Sequence, residues 1–203
     1  MGQRAPRPQP YHHGDLRAAL LGAAEAILER DGIQALTLRA AARAAGVSHA
    51  APAHHFGDLT GLLSELAATG YARFRDALLA GMDAAGPAPA ARLHAMGQGY
   101  VRFARDHPNL FLLMFRGERL DAGRPALRDA MNAAYGALAE AAAAARPATA
   151  ASGDAPAPDR LADATAAWAI AHGLAMLLID GRLRGVADDT DALVSAALSR
   201  LAL

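Results

Sequence analysis

Two short stretches of helical periodicity meet at Gly46 with almost no chain between them, and few folds accept that arrangement. Upstream, Thr37 can cap a helix by accepting from first-turn amides, and Leu38, Ala41, Ala42 and Ala45 recur at helical spacing on one face. A short helix is predicted over 38–44. Gly46 supplies the left-handed residue that stops it, Val47 packs back beneath the turn, and Ser48 is placed to cap a second helix. The buried positions beside the turn are alanines, which lets two helix backbones approach closely and cross steeply. Phe56 closes this small core from its far end, and Asp58 can cap a third helix.

This is the wiring of a helix-turn-helix, whose second helix enters the major groove of DNA by its N-terminal residues. The candidate readers are Ser48, His49, Ala50, Ala51, Ala53, His54 and His55. Ser and His can hydrogen-bond base edges or phosphates, while Ala permits close approach and contact with a thymine methyl. Thr37, Arg39 and Arg43 on the preceding helix are candidate phosphate contacts. Pro52 lies four residues past the expected cap, so a kinked or tightened first turn is predicted. Neighbouring His54 and His55 point about 100 degrees apart on a helix, so they make no shared metal face of the kind an i, i+4 pair provides. No metal and no cofactor are expected.

Charge sets the style of binding. All twenty basic residues are arginine and they balance twenty Asp and Glu, so the formal net charge is zero. Residues 1–60 hold six arginines against five carboxylates, together with five of the eight histidines. Nonspecific affinity comes mainly from counterion release, so this surface must rely on positioned contacts, with Arg4 and Arg7 of the N-terminal arm available to help. A packaging protein would want surplus positive charge. The absence of cysteine excludes disulfides and thiolate chemistry. The first residues lack the apolar stretch of a secretory signal and no window of about 18 uninterrupted apolar residues occurs, so a cytoplasmic protein with no membrane partner is expected.

An apolar fraction of 53 % rich in alanine predicts an all-α fold. The first helix runs from Asp15, as its cap, to Arg30, presenting Leu16, Leu20, Ala24, Ile27 and Leu28, with Gly32 as the stop. A long helix then follows Asp58 and ends near 84–90. Further helices are predicted from about Ala91 to Arg105, a short one in HPNLFLLMFRG, then about Pro125–Arg146, Asp159–Leu183 and 189–202. The segment 146–160 has loop composition. The expected divisions are a flexible arm over 1–11, a three-helix helix-turn-helix domain over 12–57, and a helical bundle over 58–203.

Residues 12–65, with the pattern T-x-R-x-x-A-x-x-A-G-V-S from Thr37 to Ser48, resemble the DNA-binding domain of TetR-family transcriptional regulators. Two positions depart from that pattern: Ala53 replaces a phosphate-contacting Tyr, and Leu59 replaces a Lys. The segment AWAIAHGLAMLLIDGRL also resembles a TetR subgroup marked by Trp, His and Gly, here Trp168, His172 and Gly173. The resemblance implies a homodimer on a near-palindromic double-stranded operator, released by a small-molecule effector. Phe74, Tyr100, Phe103, Phe111, Met114, Trp168 and His172 are the candidate ligand-binding residues, although the same residues fit a plain core. Gly173 is expected to permit close backbone approach.

An enzyme is disfavoured: there is no H-E-x-x-H, no G-x-S-x-G and no phosphate-binding glycine loop, and no Glu is followed three residues later by His. The alternative reading is a helical-bundle small-molecule-binding protein with weakened or lost DNA binding, because Ala53 and Leu59 stand where contacts are expected.

Overall fold

Nearly every predicted breaker starts or stops a helix in the computed structural model, which describes residues 13–146 and 157–202. Regular structure among the described residues is helical throughout, as the sequence predicts. The head contains α1 (His13–Asp31), α2 (Leu38–Ala44) and α3 (Ala51–Phe56). The body contains α4 (Leu59–Asp83), α5 (Pro89–Asp106), α6 (Pro108–Phe115), α7 (Pro125–Ala144), α8 (Ala157–Ile179) and α9 (Thr190–Leu198), followed by a 3-10 turn over Ser199–Ala202. The arm bearing Arg4 and Arg7 and most of the loop over 146–160 lie outside the described residues.

In the head, α1 buries Leu20, Ala24, Ile27 and Leu28, the face its periodicity predicts, and Leu36, Ala41 and Phe56 complete the cluster. Truncating a buried aromatic such as Phe56 costs about 3–5 kcal/mol, so this one ring largely fixes where α3 sits. One continuous core then runs from the head into the body. Its conduit is α4, which touches α1 and α3 near its start and α5 and α7 along its length. Asp58 caps it as predicted, its Oδ1 accepting from the Gly61 amide at 2.8 Å.

Several boundaries differ from expectation for identifiable reasons. Asp15 does not cap α1, since the helix already begins at His13. The fifth helix starts at Pro89, whose fixed φ and missing amide suit a first turn. The eighth stops at Ile179 rather than Leu183. There Gly181 (φ +68) makes a left-handed end, with the Arg182 amide returning to the Leu177 carbonyl at 2.8 Å and the Gly181 amide to Leu178 at 3.0 Å. The last helix tightens to 3-10 after Leu198. Gly173 mediates no close approach within the chain, because a Cβ there would meet nothing within 4 Å.

By length and composition alone, Leu161–Ile179 of α8 is apolar enough to cross a membrane. It packs instead along α5 and α7; Leu177 remains 42 % exposed on its far side, while Leu161 and Trp168, nearly opposite it around the helix, are 58 % and 38 % exposed.

Candidate nucleic-acid interface and effector cavity

The turn between α2 and α3 is built by hydrogen bonds that the sequence forecasts. Thr37 Oγ1 accepts from the Ala40 amide at 3.1 Å and caps α2. At the other end Gly46 (φ +67) donates to the Arg43 carbonyl at 3.2 Å and Val47 to the Ala42 carbonyl at 3.0 Å, which closes both orphan carbonyls in a Schellman motif. Ala41 and Ala42 are fully buried at the crossing.

The start of α3 corrects the sequence reading. Ser48 does not cap the helix: α3 begins at Ala51, with Ala50 in the N-cap position and no side-chain acceptor. Pro52 is the cause. A helix begun three residues earlier would need an amide at position 52 to reach the Ser48 carbonyl, and proline has none. The Ser48 carbonyl instead accepts from the Ala51 amide at 3.1 Å, a tightened turn, and Pro52 falls within the first helical turn, where its missing donor goes unmissed.

Ser48, His49 and Ala50 therefore form an exposed turn leading into the helix, rather than its first turn. Ala53 and His54 are exposed beyond them, Ala51 and His55 are half-buried, and Pro52 and Phe56 point into the head. The His54 and His55 rings stack at 5.5 Å. Arg39 and Arg43 are exposed on α2 and make no ion pair among the described residues. Arg17, by contrast, is engaged, pairing with Glu65 and lying 5.8 Å over the Phe56 ring.

The head is bolted to the body by polar contacts that sequence reasoning did not anticipate. Both Glu29 carboxylate oxygens accept from the start of α6, from the Asn109 amide at 3.2 Å and the Leu110 amide at 3.0 Å, while Asn109 Nδ2 donates to the Glu29 carbonyl at 3.0 Å. Arg73 of α4 reaches Glu25 at 2.5 Å and His107 at 3.2 Å. Arg124, at the start of α7, donates from Nη2 to the Phe56 carbonyl at the end of α3, at 3.1 Å. Gly61 makes room for that bond. A Cβ at 61 would fall 1.9 Å from the Phe56 oxygen and 2.6 Å from Arg124 Nη2.

Inside the body a cavity of about 230 Å³ lies among α4, α5, α7 and α8. Tyr71, Phe74 and Leu78 line it from α4, Tyr100 from α5 and Phe115 from α6. Across from them stand Met131, Asn132, Ala134, Tyr135 and Leu138 of α7, and Trp168 of α8. Three of the seven candidate ligand residues, Phe74, Tyr100 and Trp168, thus share one wall system. The other four do not line it. Phe111 and Met114 are packed into the core, Phe103 lines a separate open groove between α4 and α5, and His172 sits one layer behind Tyr100. The contribution of α7 was missed, though Leu127, Met131, Tyr135 and Leu138 recur at helical spacing in an otherwise alanine-rich helix and could have revealed a lining face.

A relay stands at the cavity wall. Trp168 Nε1 donates to Tyr100 Oη at 3.2 Å, and Tyr100 Oη lies 3.0 Å from His172 Nδ1. Tyr71 Oη donates to the Met114 carbonyl at 2.9 Å. Burial pushes the Tyr71 hydroxyl up to about 12 and Tyr100 higher still. His172 is shifted the other way, first by desolvation and then by the charge of Arg116, which favours the neutral imidazole.

A chain helical throughout its described residues, with an exposed helix-turn-helix tip coupled through one long helix to a helical body, has the build of a DNA-binding regulator. Comparison with known proteins agrees. Residues 20–66 match the family described as bacterial regulatory proteins, tetR family, and residues 93–201 match the tetracyclin repressor-like C-terminal domain. The chain belongs to the TetR family and is a DNA-binding transcriptional regulator. Among solved structures it is similar to a protein of unknown function from Rhodococcus sp. RHA1, with 37 % identity over 96 % of this chain and 97 % of that one and a TM-score of 0.79. It is also similar to the candidate regulatory protein SCO4313, at 26 % identity over 96 % and 98 % of the two chains and a TM-score of 0.72. The fatty acid degradation regulator FadR from Bacillus halodurans shares the fold, at 14 % identity over 97 % and 96 % and a TM-score of 0.66. None of the curated proteins matches the chain.

Proposed function

We propose that this chain is a homodimeric, non-catalytic repressor that leaves its operator when a small molecule occupies the cavity among α4, α5, α7 and α8. The observation that carries the DNA half of this reading is the exposed tip Ser48–His49–Ala50 with His54, flanked by Arg39 and Arg43 that have no ion-pair partner among the described residues. Ala53 is exposed and offers no side-chain donor, so the backbone phosphates fall to the two arginines and to turn residues. The dimer reading is supported by the uncovered face of α8, where Leu177 is exposed and Gly173, one turn before it, leaves room for a second backbone. Two such heads would meet successive major grooves roughly 34–36 Å apart. A ligand that binds better to a body with the heads wrongly spaced lowers operator affinity by that difference. A repressor working in this way operates in the cytoplasm.

A gel shift with the DNA upstream of its own coding region, titrated with salt, tests the reading. Arg39→Ala and Arg43→Ala, each removing one contact from both protomers, reduce the salt slope by about 1.8, whereas Ser48→Ala and His49→Ala change sequence preference at nearly constant slope. Equal affinity for a scrambled duplex removes the repressor.

A further inference from the structure

The polar groups of the cavity's buried wall have a shared property. Trp168 can only donate, and its indole hydrogen goes to Tyr100. His172 Nδ1 then accepts from the Tyr100 hydroxyl, because the opposite assignment leaves a phenolic hydrogen buried without an acceptor. Tyr71 spends its hydrogen on the Met114 carbonyl. The buried Tyr71 and Tyr100 and the part-exposed Trp168 have therefore committed their hydrogens within the protein, and what the two tyrosines still offer is oxygen lone pairs; the remaining polar lining residues, Asn132 and Tyr135, stand on the exposed α7 side. Among the described residues no arginine lines the cavity. The guanidinium whose charge reaches His172, that of Arg116, lies 3.9 Å from Asp180.

Resting on the effector reading above, we infer that the cavity takes a small, uncharged, predominantly aromatic molecule bearing a hydroxyl-type hydrogen-bond donor, of the alkylphenol class, and rejects carboxylates. An anion needs a matching charge and finds no cation in the lining, only the Asn132 amide and the Tyr135 hydroxyl on the exposed α7 side, so its desolvation is poorly compensated. A donor finds an acceptor ready. The apolar remainder meets Phe74, Phe115 and Leu138, which suit a ring and a short chain. A volume of about 230 Å³ is below the roughly 300–1,000 Å³ of drug-sized sites, which limits the guest to one ring and its substituent. Met131 and Tyr135, each 37 % exposed, stand at the open side through which it would enter.

Trp168 is the single tryptophan of the chain and lines the cavity, so its fluorescence reports occupancy directly. The full-length protein is titrated with 4-butylphenol, 4-butylanisole and 4-butylbenzoate, which share a ring and chain and differ in the donor and the charge. The phenol is expected to give a saturable change and to bind roughly fivefold more tightly than its methyl ether, the worth of one buried hydrogen bond, with the benzoate weakest. In Tyr100→Phe the phenol's advantage over the ether shrinks toward onefold, and thermal melting confirms that the variant is folded. Equal binding of phenol and ether by the wild type, preference for the benzoate, or no saturable response to any of the three overturns the assignment. A gel shift with the same phenol isolates the effector reading. Binding without operator release leaves the ligand class standing and removes the release mechanism, and failure to prefer any duplex removes the regulator while the fluorescence result is unaffected.

Discussion

Replacing Arg124 with methionine removes a side-chain bond that joins the cavity helix α7 to the end of α3. The guanidinium donates to the Phe56 carbonyl at 3.1 Å and lies 3.9 Å from Glu65 and 3.7 Å from Asp121. A hydrogen bond from a charged donor contributes about 1.5–3 kcal/mol, while half-exposed ion contacts near 4 Å add at most about 1 kcal/mol. Methionine keeps much of the aliphatic packing, so a loss of about 2 kcal/mol is expected. For a chain of this size that corresponds to a fall in Tm of about 4–8 °C. The functional consequence is larger in kind. Met131, Ala134, Tyr135 and Leu138 of the same helix line the cavity, so a guest that displaces α7 pulls directly on α3. Without Arg124 that pull is lost, and the ratio of operator affinities with and without ligand moves toward one while Trp168 still reports ligand binding. Calorimetric melting and gel shifts at saturating ligand check both parts. Gly61→Ala attacks the same bond by crowding Arg124 Nη2 and the Phe56 oxygen, so the two substitutions together should destabilise by clearly less than the sum of their single effects. A Tm change under 1 °C, full additivity, or an unaltered affinity ratio refutes the reasoning.

Glu29→Ala leaves two amides at the start of α6 without their carboxylate and costs about 2 kcal/mol in urea unfolding, whereas Glu29→Gln, which keeps one acceptor, loses about half as much. His172 has a depressed folded-state pKa from burial and Arg116, so the unfolded chain takes up its proton first as pH falls. Its stabilising contribution is present above about pH 6.5 and is lost as pH drops from there toward the folded value. The stability gap between wild type and His172→Gln, measured by denaturant titration, therefore narrows between pH 7.5 and 5.5, and a gap that widens contradicts the assignment. Leu177→Arg places a charge on the uncovered side of α8. Sedimentation should then show a monomer that has lost operator affinity, with the helical signal retained.

What was legible in the sequence was whatever a single residue dictates locally. Gly46 ends α2 and Thr37 and Asp58 cap α2 and α4 because φ and a side-chain oxygen decide those ends without help from elsewhere. Leu20, Ala24, Ile27 and Leu28 declare a face because burial follows the helical period. At the start of α3 the cap offered by Ser48 competes with the constraint imposed by Pro52, and the proline wins. A cap is worth about 1 kcal/mol and an interior proline costs about 3 kcal/mol, so the magnitudes were sufficient to choose the right start. The cavity was half legible for a different reason: large apolar residues announce that they are buried, but not whether they meet one another or a void. Phe111 and Phe74 look alike in sequence, yet one fills the core and the other faces the cavity.

The bonds from Glu29 to α6 and from Arg124 to α3 join residues 80 and 68 positions apart, and no periodicity or motif encodes such pairs. They matter because of where they attach. α1 is held at the entrance of α6, whose Phe115 lines the cavity, and α3 is held at the entrance of α7, which supplies the opposite wall. Head and body are thus joined at both sides of one void, in addition to the continuous helix α4. A guest that widens the gap between α6 and α7 must either strain these two clamps or rotate the head with them. In the proposed release mechanism, two clamps on opposite walls would convert a small change in cavity width into a rotation of the reading surface, whereas α4 alone would transmit mainly a tilt.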